Sequence, residues 1–182
     1  GIVIFKDQKP TKYLHTKEGL PNLLVQDIEE GTNGDVFIGT LGGGVIRFNK
    51  EVKETISKSE GLISDEINTI EINSDGLILI GTEDGVSVLA PPPKAPKFFS
   101  TLSLNGKDPF EEEAVTLNQD GEGRIWLGTY GKGYRVFEDG NWLTLENPPK
   151  ETNGYAQSGT LDSDGNLWVG TQGSGGFKIE GN

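Results

Sequence analysis

Short apolar runs closed by Gly-Thr recur along the chain: Val36-Phe37-Ile38-Gly39-Thr40, Ile78-Leu79-Ile80-Gly81-Thr82, Ile125-Trp126-Leu127-Gly128-Thr129 and Leu167-Trp168-Val169-Gly170-Thr171. Their glycines lie 42, 47 and 42 residues apart, a period that signals a propeller or a solenoid. Upstream of each run stands a glycine in polar turn chemistry (Gly34, Gly76, Gly123, Gly165), which predicts a tight hairpin with positive φ. Before that turn, Val25, Ile67, Ala114 and Ala156 keep step, with Ile28, Ile70, Leu117 and Gly159 three residues further on. They mark a first strand, A, ahead of the Gly-Thr strand, B.

Downstream, a glycine followed by apolar alternation predicts strand C at Gly44 to Phe48, Gly85 to Leu89, Gly133 to Phe137 and Gly176 to Glu180, and Gly1 to Phe5 fits the same slot. A less regular strand D is expected at Lys12 to Thr16, Glu54 to Lys58, Phe98 to Leu102 and Trp142 to Leu145. Strand B is apolar at consecutive positions, as a strand buried on both faces should be. Propeller blades have that property, whereas an open sandwich would show a polar face. The expected fold is therefore all-β, a partial β-propeller of about four four-stranded antiparallel meanders. As a single domain it divides into units of approximately 1–22, 23–63, 64–110, 111–153 and 154–182. The Pro-rich segment from Ala90 to Lys97 reads as a stiff loop inserted within one blade, because the repeat resumes in phase after it.

Composition agrees with many turns and short strands: 182 residues, 33% hydrophobic, with 27 glycines. No apolar run approaches the roughly 18 residues of a membrane span, and no signal-peptide pattern opens the chain. The start at Gly1 and the absence of methionine suggest a piece of something longer. A formal charge of −12 repels phosphate backbones, so no nucleic-acid partner is expected. With no cysteine there can be no disulfide, thiolate metal site or cysteine nucleophile.

Candidate chemistry is sparse. The Asp-rich turns Asn73-Ser74-Asp75-Gly76 and Asp162-Ser163-Asp164-Gly165 lack the glutamate twelfth in the run that an EF-hand requires, and they read as hairpin turns. His15, the single histidine, falls in a D strand with no second acid or base in register. Gly42-Gly43-Gly44 joins two strands and opens no helix, so it is a poor phosphate cradle. Phe37, Leu79, Trp126 and Trp168 share a register on the B strand and are expected to pack between blades. No metal, cofactor or catalytic residue is expected.

Loops on a fixed frame are where binding residues gather. The B to C loops offer Leu41, Glu83, Asp84, Tyr130, Lys132, Gln172 and Ser174, and the D to A connections offer Asn22, Asp65 and Tyr155. The ligand-binding candidates are Tyr130, Lys132, Gln172, Glu83, Tyr155, Asn22 and Asp65. Tyr130 with Lys132, an aromatic platform beside a hydrogen-bond donor, is the favoured pair.

The stretch from Leu161 to Thr171, with Ile125 to Thr129 and the connectors Glu18-Gly19-Leu20-Pro21-Asn22 and Glu60-Gly61-Leu62-Ile63-Ser64, resembles the two-component regulator propeller repeat. That resemblance implies a periplasmic or extracellular ligand sensor, in a family that often joins two seven-bladed propellers to a membrane segment and a histidine kinase and is frequently tied to glycan sensing. Four repeats are fewer than that ring uses. The resulting expectation is a non-enzymatic sensing module for a polar small molecule or glycan. A protein-binding scaffold like the propellers of secretion machinery is the alternative, and a lyase-like propeller enzyme comes third. An open arc also exposes apolar sheet at both ends. Either further blades from a longer chain or association of copies would cover those ends; the favoured arrangement is a homodimer, the C and D strands of one copy completing the A and B strands of the other in an eight-bladed ring.

Overall fold

The computed structural model describes residues 1–73, 76–89, 98–99, 103–104, 107–109, 113–138, 141–144 and 155–179. An opening hairpin pairs β1 (Ile2–Lys6) with β2 (Lys9–Leu14). The first full sheet follows as β3 (Val25–Glu30), β4 (Val36–Thr40), β5 (Gly44–Asn49) and β6 (Glu51–Ile56), paired in that order. The second comprises β7 (Ile67–Ile72), β8 (Ile78–Thr82), β9 (Gly85–Leu89) and β10 (Phe98–Phe99). A small hairpin, β11 (Ser103–Leu104) with β12 (Lys107–Pro109), precedes the third sheet. That sheet contains β13 (Ala114–Gln119), β14 (Ile125–Thr129), β15 (Gly133–Glu138) and β16 (Asn141–Thr144). The last has three strands, β17 (Ala156–Leu161), β18 (Leu167–Thr171) and β19 (Gly175–Ile179). All pairings are antiparallel meanders, as expected of propeller blades.

The repeat extends to backbone detail. The hairpin glycines Gly34, Gly76, Gly123 and Gly165 all have φ between 78° and 86°, the conformation that their turns required. A register shift recurs at the start of all four A strands, at Val25/Asp27, Ile67/Thr69, Ala114/Thr116 and Ala156/Ser158. Such bulges re-aim the strand locally and are built features.

The D strands are where pattern and structure part. They begin and end earlier than their apolar residues suggested, at Lys9–Leu14 and Glu51–Ile56. The backbone pairing starts directly after the C to D turn, and polar residues take part in it. His15 consequently lies past its strand. It opens a short 3-10 turn, Thr16–Glu18, with its N–H donating to Glu18 Oε2 at 2.9 Å. The third D strand is described only at Phe98–Phe99, and the β11/β12 hairpin carried no periodic signal. The Pro-rich segment 90–97 lies outside the described residues.

Cores form between sheets. Ile2, Ile4 and Leu14 of the opening hairpin meet Ile38, Ile46 and Phe48. Phe37 packs with Ile67, Ile70, Ile78 and Ile80 of the next sheet, and Leu79 with Ala114, Leu117, Ile125 and Leu127. Trp126 packs with Ala156, Leu167 and Val169. Trp168 departs from the expected inter-blade packing: it is 48% exposed, because among the described residues no sheet follows it. Between the A strands the seams are polar. Asp27 Oδ2 accepts from Ile70 N at 2.7 Å, Glu71 Oε1 from Gln119 N at 3.2 Å, and Asn118 Nδ2 donates to the Gly159 carbonyl at 3.2 Å.

Candidate functional site

The Gly-Thr motif positions the loops. A Cβ on Gly39 would lie 2.6 Å from Ile67 Cγ2, and one on Gly128 2.7 Å from Ala156 Cβ, so these glycines let the following A strand approach. Each threonine then closes the B to C turn, its hydroxyl donating to a carbonyl at the start of strand C: Thr40 to Gly44, Thr82 to Gly85, Thr129 to Gly133, Thr171 to Gly175, at 2.8–2.9 Å. The residue after the threonine is thereby fixed. Its N–H donates to the carbonyl just before strand A of the same sheet: Leu41 to Leu24, Glu83 to Glu66, Tyr130 to Glu113, Gln172 to Tyr155.

These two positions meet across the seams between blades. Leu41 bridges Glu66 at the first seam, Glu83 and Glu113 hold the equivalent places at the second, and Tyr130 and Tyr155 at the third. The two tyrosine rings lie 4.4 Å apart between centroids, inclined by 50°. Tyr130 is 53% and Tyr155 43% exposed. Gly131, at φ 93°, lies beneath Tyr155, whose Cε1 would be 3.3 Å from an added Cβ. Two rings that already touch and remain half open form a preorganised stacking surface at little conformational cost.

Lys132 follows Tyr130 by two residues and Gln172 follows the next Gly-Thr, and both are exposed. The Lys132 carbonyl accepts from Arg135 Nη1 at 3.1 Å, and the Gln172 N–H reaches the Tyr155 carbonyl at 3.0 Å. Glu83 stands exposed at the neighbouring seam. Asn22 and Asp65 lie at the first seam and are occupied structurally. The Asn22 amide donates to the Leu41 carbonyl while its Oδ1 accepts from Leu24 N at 2.8 Å. Asp65 Oδ1 accepts from Lys58 N at 2.7 Å, and its carbonyl receives Gly42 and Gly44 N–H at 3.0 Å each. Glu66 and Glu113 were missed by sequence reasoning. The signal for them was their position immediately before Ile67 and Ala114, in register with Tyr155.

Elsewhere the polar groups serve the frame. Asp162 Oδ1 accepts from Asp164 N and Asn166 N, and Oδ2 from Trp168 Nε1 at 2.9 Å, which holds its carboxyl down to about 2. Asp120 repeats the arrangement with Arg124 and Trp126, the indole donating at 2.8 Å. These turns are closed by their own N–H groups, and among the described residues no cluster of three acidic or histidine side chains is placed to hold a metal. On the A strands, burial first and then the charges of Glu29 and Asp27 push the Glu71 carboxyl up to about 7.

Comparison with known proteins matches no protein-family model and no curated protein. Solved structures do match. The extracellular domain ascribed to the hybrid two component system BT3049 from B. thetaiotaomicron superposes with a TM-score of 0.74 at 21% identity, over 97% of this chain and 24% of that one. That of BT4673, from the same organism, gives 0.74 at 19% identity, over 97% of this chain and 24% of that one. Selenomethionine-substituted virginiamycin B lyase from Staphylococcus aureus gives 0.59 at 18% identity, over 80% of this chain and 48% of that one. The chain spans about a quarter of the length of the first two. At these identities the likeness is one of fold, and that fold is the β-propeller.

Proposed function

We propose that this chain is part of an extracytoplasmic sensing propeller that binds a polar small molecule or glycan without transforming it. The observation that carries the reading is the Tyr130–Tyr155 pair, two half-exposed rings in contact at a seam where the equivalent positions of other blades are polar or aliphatic. Aromatic faces stack on the C–H face of a sugar, and Gln172 and Lys132, exposed on the adjoining B to C turns, supply polar groups for its hydroxyls. Asn22 and Asp65 serve the frame at the first seam, and Glu83 stands exposed at the second. The extracellular domains of BT3049 and BT4673, with the same fold, support an extracytoplasmic sensing role. No helix among the described residues is long and apolar enough to cross a membrane. The test is thermal unfolding across a glycan panel, since a ligand that binds only the native state raises its midpoint. A rise abolished by Tyr130→Ala supports the reading; a flat panel overturns it.

A second reading, assembly, is favoured by the open ends. Val3, Phe5 and Tyr13 on the opening hairpin are 43%, 62% and 53% exposed, whereas Ile46 and Phe48, in register with Val3 and Phe5, are 0% and 8%. Trp168 is exposed at the other end. A homodimer joining these ends would cover both, although β1 and β19 occupy the same C slot and compete in a simple strand exchange. Light scattering tests this: a stable monomer removes the homodimer.

A further inference from the structure

We infer that the seam between the second and third sheets takes a planar aromatic ring of indole size, lodged where the first and third seams hold an aromatic side chain of the protein itself. The site is separate from the Tyr130–Tyr155 surface and does not rest on the sensing role.

The second residue of each B strand packs across a seam. At the first, Phe37 packs with Ile78 and Leu89, the first residue of the next B strand and the fifth of the next C strand. At the third, Trp126 packs with Leu167 and Ile179, which hold the same two places. At the second the residue is Leu79, and with its counterparts Ile125 and Phe137 it lines a cavity of about 160 Å³. The cavity thus opens where the neighbouring seams place a ring and this one places a leucine. A void of about 150 Å³ lined by Leu, Ile and Phe stays dry and accepts benzene.

The rest of the lining follows the same exchange. In the third sheet Arg124 lies over the Trp126 ring, its guanidinium carbon 5.8 Å from the centroid, and the indole donates to Asp120 at 2.8 Å. The counterparts in the second sheet are Leu77 and Asn73, and both line the cavity. Asn73 Oδ1 accepts from Leu77 N at 2.8 Å, as Asp120 Oδ1 does from Arg124 N at 3.0 Å, so the two turns are built alike. An amide pairs with either a ring N–H or a ring acceptor, where a carboxylate takes only the N–H. On the opposite wall the Arg124 guanidinium, held by Asp120 and Glu122 at 2.7 and 3.0 Å, brings a flat cation that favours an aromatic occupant over an aliphatic one.

The experiment follows the methyl resonances of the full chain by NMR while indole is added, with cyclohexylmethanol as the non-aromatic control. The expected result is saturable shifts at Leu77, Leu79 and Ile125 with a Kd on the order of 1 mM or tighter, while Val45 of the first sheet stays unmoved. Cyclohexylmethanol should bind about tenfold more weakly. Leu79→Phe and Leu79→Trp, which restore the ring of the first or the third seam, should abolish indole binding, and thermal melting checks that each variant folds. Absence of saturable shifts at those three residues overturns the site, as does indole binding that survives either substitution in a folded variant. Should neither variant fold, the shifts in the unsubstituted chain decide alone. Equal or tighter binding of cyclohexylmethanol overturns the aromatic assignment. The sensing role is decided separately, by the glycan panel.

Discussion

Trp126 and Trp168 occupy the same place in the same motif, donate the same indole hydrogen bond to an aspartate six residues earlier, and end in opposite environments. Trp126 is 5% exposed and packs on Ala156, Leu167 and Val169; Trp168 is 48% exposed. The difference lies entirely in what comes next. A blade of this repeat completes its core on its neighbour, so the motif specifies a side chain's direction and leaves its burial to the following sheet.

That comparison can be broken in several ways. Trp126→Ala should destabilise by about 3–5 kcal/mol, the cost of emptying a packed aromatic site, while Trp168→Ala should cost about 1 kcal/mol, mainly its hydrogen bond to Asp162; denaturant unfolding measures both. Equal losses would mean that the last sheet is covered in solution. Gly128→Ala should cost about 1–3 kcal/mol, because its Cβ meets Thr116, Ala156 and Tyr134 at once. Gly170→Ala, which meets only Ser158 there, should stay within about 0.5 kcal/mol in the same assay.

A smaller effect is expected from pH. Glu71 sits at about 7 in the fold against an ordinary 4.5, so the native state holds more protons than the unfolded chain between those values. Its contribution is present below 4.5 and is lost as pH rises through about 7. Asp162 has the opposite sign: lowered from 3.8 to about 2, it contributes above 3.8 and the contribution is lost as pH falls through about 2. Thermal melts from pH 4 to 8 should fall with a slope that Glu71→Gln flattens. The smallest change in stability, within about 0.5 kcal/mol, is expected for Tyr155→Ala, whose ring lies on the surface; its effect should appear in ligand affinity.

Much of the frame was legible because the repeat makes the same physical demand four times. Glycine recurs where the next strand approaches, threonine where a turn must close, and an apolar B strand where both faces are covered. Strand D was placed late because its outer position imposes no periodic demand, and Lys9, Glu51 and Glu54 pair as well as apolar residues would. The exposure of Trp168 escaped because burial there depends on chain that the motif does not encode. The candidate site was half legible. Tyr130 and Tyr155 were each visible as loop residues that differ between repeats, but their contact joins two blades, and only the seam geometry brings them together. Asn22 and Asp65, visible for the same reason, also bond main-chain groups at the first seam, which their polarity alone did not disclose.

Tyrosine-ring NMR during glycan titration addresses the central claim most directly, because the chain's four tyrosines divide cleanly. Tyr130 and Tyr155 form the seam, Tyr134 is buried beside it, and Tyr13 stands on the distant opening hairpin. The account predicts saturable shifts at Tyr130 and Tyr155 with Tyr13 unmoved. Shifts confined to Tyr13, or the absence of shifts at the seam when a ligand has bound, would contradict it.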